Sequence, residues 1–202
     1  MIRNLVFDFG NVLVDYDYVL FFKWLYPDEN RLFSFVNFIN NEESIRIMER
    51  GLKPFGEIIE DFIREAPEFE PELRLFHEHK PECVTHEEPG MRELLAKLKA
   101  EGYRLYGLSN WDSSVYDTIQ EYHDIFKLLD GWVISCDVHH VKPEPEIYRC
   151  LFDKYGLKPE ECFFADDKPE NVEGATRVGM AATLFTGAAS YEAALRSQIS
   201  VI

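Results

Sequence analysis

The sequence predicts an α/β fold: a Rossmann-like parallel sheet with helices on both faces, plus an all-helical segment inserted after the first strand. Two patterns carry this expectation. From Pro89 onward, short β-prone runs alternate with amphipathic stretches of ten or so residues, the signature of parallel βαβ units. Between residues 18 and 80 that alternation is missing, and apolar residues recur at helical spacing instead.

Taken in order, Ile2, Leu5, Val6 and Phe7 form an apolar run that reads as a buried strand ending at Asp8. Gly10 and Asn11 break it as a tight turn does. Open α/β sheets bind ligands beyond the carboxyl ends of their strands, so Asp8 stands where a ligand would sit. From this stretch alone, Asp8 reads equally well as a turn cap. In the following segment Phe21, Phe22, Phe33, Phe35, Val36, Phe38 and Ile39 recur at helix-like spacing, and Ile45, Ile47 and Met48 follow. Phe55, Ile58, Ile59, Phe62 and Ile63 then mark one helix face. Pro27, Gly51, Pro54, Pro67 and Pro71 punctuate the segment into three or four short helices with a core of their own and no strands. The chain divides into a core of residues 1–14 and 86–202 and a helical insertion of 15–85.

In the second half, residues 89–101 predict a helix with Met91, Leu94, Leu95 and Leu98 on one face, ended by Gly102. Strands follow over 103–109, 131–135, 162–165 and 181–185, and helices over 114–122, 144–155, 169–178 and 191–199. The strand ends carry chemistry: Ser109 followed by Asn110, and the pair Asp166-Asp167. Between them lies Lys142, before Pro143. In a parallel sheet these ends meet Asp8 at one edge. Clustered carboxylates repel unless a cation sits between them, and hard oxygen ligands suit Mg²⁺. Lys142 and Ser109 are groups that bind phosphate oxygens.

The charge narrows the partners. With 37 acidic against 21 basic residues and a formal net charge of -16, the chain lacks the basic face that nucleic acid or an anionic membrane demands. A phosphate-bearing ligand would need a local cation. No apolar run approaches the ~20 residues of a membrane span. The sequence opens directly on a strand, which predicts no signal peptide. The cysteines, Cys83, Cys136, Cys150 and Cys162, lack Cys-x-x-Cys spacing and read as reduced thiols of a cytoplasmic protein.

Four stretches in fixed order resemble the haloacid dehalogenase-like hydrolase superfamily, and the resemblance covers nearly the whole chain. They are Asp8-Phe-Gly-Asn-Val-Leu, the strand ending at Ser109, Lys142-Pro143, and Phe164-Ala-Asp-Asp-Lys-Pro-Glu-Asn171. The resemblance implies that Asp8 is a nucleophile forming an aspartyl-phosphate. It implies a Mg²⁺ ion held by Asp8, the carbonyl of Gly10 and Asp167, with Asp166 as an outer or second ligand. Ser109, Lys142 and the backbone N–H groups of Phe9 and Asn110 would hold the phosphoryl oxygens, and Lys142 would keep Asp8 ionised. Trp111 and Asp112 would line the substrate pocket, and the insertion would be the mobile cap. Asn171 would orient Lys142 or cap the next helix.

One position departs from the pattern. Phosphatases of the superfamily commonly carry a second Asp, the general acid and base, where this chain has Gly10. Asp8 to Asp17 and Asp166 to Asn171 resemble a branch with this Asp-x-Gly-Asn-Val opening that includes bacterial phosphatases of the α-D-glucose-1-phosphate type, so Gly10 does not imply a dead enzyme. Asp15, Asp17 and Asp112 are the nearest replacement acids; Asp17, ahead of Asp15, is expected to meet the substrate on its leaving-group side, with helix capping the competing reading for both. The resemblance thus implies a Mg²⁺-dependent hydrolase of small phosphorylated metabolites, sugar phosphates above all, working as a monomer or weak homodimer. A missing acid predicts a preference for anomeric or aryl phosphates. The alternatives are a 2-haloacid dehalogenase, disfavoured by the absence of Arg between Arg3 and Arg31, and a non-catalytic binding protein on the same fold. His77, His79, His139 and His140 lack paired-ligand geometry, and the Glu-rich run from Glu65 to Glu88 reads as solvated surface.

Overall fold

The computed structural model describes residues 1–25 and 29–200; the break expected at Pro27 lies outside the described residues. The chain opens with β1 (Asn4–Phe7), turns tightly, and runs through β2 (Val14–Tyr16) into five helices. These are α1 (Tyr18–Leu25), α2 (Glu29–Ile39), α3 (Glu42–Arg50), α4 (Phe55–Glu65) and α5 (Glu70–His79). The return strand β3 (Val84–Glu87) pairs antiparallel with β2, a ribbon that the sequence pattern did not announce. Then follow α6 (Met91–Ala100), β4 (Arg104–Ser109), α7 (Val115–Glu121), α8 (His123–Phe126) and β5 (Gly131–Ile134). The chain closes with α9 (Ser135–Val138), α10 (Pro145–Tyr155), β6 (Cys162–Asp166), α11 (Pro169–Arg177), β7 (Ala181–Leu184) and α12 (Ala188–Ser200).

The main sheet has the order β5-β4-β1-β6-β7 with every neighbour parallel. Both faces are covered, so successive strand residues bury alternately above and below. Leu5, Phe7, Leu105 and Phe163 pack with Met91, Leu94 and Leu98 of α6 and Tyr191 and Leu195 of α12. Val6, Tyr106, Leu108 and Phe164 pack on the other face with Ile147, Tyr148 and Leu151 of α10. The central position of β1 sets up the site: Phe7 stands level with Gly107 of β4 and Ala165 of β6, so three strand ends lie side by side. Phe9 turns its ring back under β4. A Cβ at Gly107 would meet that ring at 2.3 Å, so only glycine fits there.

The inserted helices form a third core around Phe22, Phe35, Ile58, Ile59, Phe62 and Phe76. On α2 the buried stripe is Leu32, Phe35 and Ile39, and Phe33, expected inside, is 70% exposed one residue off that stripe. Ile47 of α3 is likewise exposed, because Ser44 and Met48 make its inner face. Within the Glu-rich run, Glu72 is not solvated surface: it is buried and paired with Arg31. Helix α3 starts at Asn41, whose side chain accepts from the Ser44 amide at 2.9 Å, and stops at left-handed Gly51. A Cβ at Gly51 would lie 2.6 Å from Cys136, so this glycine lets the end of α3 seat directly on α9.

Candidate active site

The residues singled out at the strand ends converge. Lys142 is 4% exposed, with Nζ 2.9 Å from Asp8 Oδ1 and 2.6 Å from Asp166 Oδ2. Its third partner is the Leu108 carbonyl at 2.9 Å, so all three ammonium donors are directed. Its backbone N–H donates to Asn110 Oδ1 at 2.7 Å, and Asn110 Nδ2 donates back to the Lys142 carbonyl. Asn110 therefore positions Lys142. Asn171 does not: its side chain donates to Asp166 Oδ1 at 2.9 Å, because α11 starts directly beyond that strand end.

Carboxylate oxygens of Asp8, Asp166 and Asp167 lie within 4.8 Å of one another. Asp166 is fully buried and its oxygens are committed to Lys142, the Lys168 amide and Asn171. It supports its neighbours rather than facing the cavity. Asp167 is half-buried and accepts from Asn11 Nδ2 at 3.1 Å. Asn11 adopts a left-handed φ of 57°, which asparagine tolerates better than most residues, and this aims the 9–14 turn back toward Asp167. Oxygen donors from Asp8 and Asp167 at this spacing fit a small hard cation such as Mg²⁺.

Burial pushes the Asp8 carboxyl up to about 7, with the Asp166 and Asp167 carboxylates adding to the rise. Lys142 pulls the other way and does not prevail, which corrects the expectation that it would keep Asp8 ionised. Burial also disfavours the Lys142 ammonium, but Asp166 and Asp8 outweigh that and hold its pKa above the usual value. The Phe9 amide donates at 2.7 Å to the carboxylate of Asp8 itself. The Ser109 hydroxyl is buried and has no hydrogen-bond partner among the described residues, so it is free to donate to an anion's oxygen.

A cavity of about 410 Å³ opens above these groups, lined from below by Asp8, Gly10, Ser109, Trp111 and Asp167 and from above by Ile45, Met48, Glu49 and Phe76. Trp111 is nearly buried, packed edge-on against Tyr16 at 5.1 Å between ring centroids, and its ring and the Tyr16 Cβ lie beside Gly10.

The three replacement acids named from sequence are otherwise engaged. Asp17 reaches the cavity wall, but its Oδ1 accepts from the Leu20 amide at 2.8 Å, so it caps α1. Asp15 accepts from Thr85 Oγ1 at 2.6 Å across the β2–β3 ribbon. Asp112 is buried in an ion pair with Lys80 and accepts from the Ser114 amide. His79 is bonded to Glu82 and His139 to the Arg50 carbonyl, local contacts rather than a metal set. Sequence reasoning missed Glu49 and Lys80, which the inserted helices bring to the cavity. Lys80 carried no helical periodicity. Glu49, directly after Met48 and two residues before Gly51, was legible only as the end of a helix.

A family model of haloacid dehalogenase-like hydrolases matches residues 2–179, and the chain belongs to that family. Among curated proteins it resembles flavin mononucleotide hydrolase 1 of Arabidopsis thaliana, 33% identical over 101 residues, 50% of this chain and 41% of that protein. It also resembles (S)-2-haloacid dehalogenase 4A of Burkholderia cepacia, 30% identical over 91 residues, 45% of this chain and 39% of that protein. These matches thus span less than half the length of either relative. Among solved structures, a HAD family enzyme of Bacteroides thetaiotaomicron in magnesium complex superposes with a TM-score of 0.69 at 25% identity. That match covers 92% of this chain and 94% of the other.

Proposed function

We propose that this hydrolase is a Mg²⁺-dependent phosphomonoesterase that works through an aspartyl-phosphate on Asp8. The observation that carries the reading is that Asp8, Asp167 and Ser109, whose hydroxyl has no partner among the described residues, line one cavity, with Lys142 buried directly behind Asp8. Asp8 and Asp167, with the Gly10 carbonyl, would hold the Mg²⁺, which supplies charge neutralisation for a transferring phosphoryl group when bound. The rest falls to the chain. Phosphoryl transfer needs alignment and charge compensation more than covalent help. Ser109 and the Asn110 amide receive phosphoryl oxygens at the end of β4. Lys142, fixed by three acceptors, orients Asp8 and lends positive charge to the equatorial oxygens. Asp8 attacks phosphorus, and water later cleaves the acyl phosphate.

The segment 15–85 is read as the cap, closing the cavity from above and excluding water. The cavity has room for a small organic leaving group, and its mixture of Asn110, Glu49, Trp111 and Met48 suits a sugar phosphate. The experiment is a panel of sugar, aryl and alkyl phosphates with Mg²⁺ and with a chelator, alongside 2-chloropropionate. Mg²⁺-dependent release of phosphate is the expected result. Metal-independent release of chloride, with no phosphate release, would assign the site to dehalogenation instead.

A further inference from the structure

We infer that Glu49 is the proton donor and acceptor at the leaving-group oxygen, filling the chemical role that Gly10 has no side chain to fill. The inference rests on the phosphomonoesterase reading. In an in-line displacement the nucleophile and the leaving oxygen lie on opposite sides of phosphorus. With Asp8 at the sheet edge, the leaving group must project into the cavity toward its far wall, which α3 supplies. Glu49 is the carboxylate on that stretch of wall. Of the others along the cavity, Asp112 is paired with Lys80 and accepts from Ser114, Asp167 accepts from Asn11 beside Asp8, and Asp17 caps the first turn of α1 at the Leu20 amide.

Its placement is built. Asn110 Nδ2 donates to Glu49 Oε2 at 3.1 Å, which ties the carboxyl to the residue following Ser109. Among the described residues Oε1 makes no hydrogen bond. Ser135 Oγ donates to the Glu49 carbonyl at 2.6 Å and also receives the Trp111 amide at 3.0 Å. Next along the chain, Arg50 donates to the His139 carbonyl and pairs with Glu144, and Gly51 sits against Cys136. The end of α3 is thus anchored on the core, a condition for reproducible proton transfer.

The charge surroundings agree. Burial raises the Glu49 pKa against the pull of Lys168, Lys142 and Lys80. Lys142 is shared by Asp8 and Asp166, and Lys80 is paired with Asp112. On α9 the nearby Asp137 accepts from the Tyr116 hydroxyl. The acid form is therefore favoured relative to an ordinary glutamate. In the first step Asp8 Oδ forms a bond to phosphorus, the ester P–O bond breaks, and the Glu49 proton goes to the departing oxygen. In the second, the Glu49 carboxylate takes a proton from water as that water attacks phosphorus, which releases phosphate and restores the Asp8 carboxylate.

The test compares wild type and Glu49→Gln on an aryl phosphate with an acidic leaving group and on an alkyl phosphate, each across pH with Mg²⁺. Glu49→Gln should lose about 10²–10³-fold in kcat on the alkyl ester but only a few-fold on the aryl ester. The alkaline fall of the wild-type alkyl profile should vanish in the variant. Glu49→Asp, a shorter acid, should recover part of the alkyl activity. An equal loss on both esters, no loss on either, or an unchanged pH profile would overturn the inference while leaving the phosphomonoesterase reading intact. A wild type inactive on every phosphomonoester would overturn both.

Discussion

At Asp8 two opposing effects meet. Burial and the neighbouring carboxylates raise its pKa from 3.8 to about 7, while Lys142 lowers it. Without metal the folded state therefore holds this proton more tightly than the unfolded chain does. The contribution of Asp8 to stability falls as pH rises through the interval from 3.8 to about 7. Mg²⁺ competes with the same proton, so its affinity should weaken about tenfold per pH unit below 7. At one fixed Mg²⁺ concentration, the metal-induced rise in Tm should be larger at about pH 8 than at about pH 5.5. Equal rises would contradict this. Gly10 gives a second prediction at this scale. Its φ lies outside the left-handed region and an added Cβ would meet Trp111 at an ordinary 3.6 Å. Gly10→Ala should then change stability by no more than roughly 1 kcal/mol in urea denaturation. Asp8, Ser109 and the Asp166-Asp167 pair were legible from their places at strand ends, and Lys142 from its place before Pro143 and a helix between the last two strand ends. The division of labour between Asp166 and Asp167 was not, because it depends on Asn171 and Asn11 reaching them from other segments.

The elements differ in how openly the sequence declared them. Helix α6, with Met91, Leu94, Leu95 and Leu98 inward, and the strands β4 and β6 lie where the periodicity put them. The β2–β3 ribbon stayed hidden because its three- and four-residue strands, 67 residues apart, carry too little alternation to register. Phe33 misled because an aromatic residue in an apolar helix reads as core whichever way it points. The junction between the inserted helices and the core was invisible for the same reason that Lys80 was: it is made by single long-range pairs. Lys80 is 5% exposed, lies 4.5 Å from the Phe55 ring centroid, and is neutralised by Asp112. Asp112→Ala would leave a buried ammonium without its partner and should cost about 3–5 kcal/mol in urea denaturation. A cost near zero would mean that the pair does not hold the two layers together.

For the whole molecule, the net charge of -16 and the buried Lys142 belong to one arrangement. A strongly acidic chain would repel phosphate esters at long range, so on the proposed function attraction would be local, from Lys168 along the cavity, from Lys142 behind Asp8 and from the cation that the carboxylates attract. No helix among the described residues is long and apolar enough to cross a membrane. The parallel sheet brings Asp8, Ser109, Lys142 and Asp167 together from positions spread over most of the chain, and the inserted helices close the space above them. The central claim is that Asp8 is the Mg²⁺-assisted nucleophile. Turnover of an aryl phosphate by wild type and by Asp8→Asn, both with Mg²⁺ and matched for Tm, tests it most directly. Asp8→Asn keeps the shape of the side chain but cannot attack phosphorus, so wild type should turn over and the variant should not. Substantial phosphate release by folded Asp8→Asn would contradict the account.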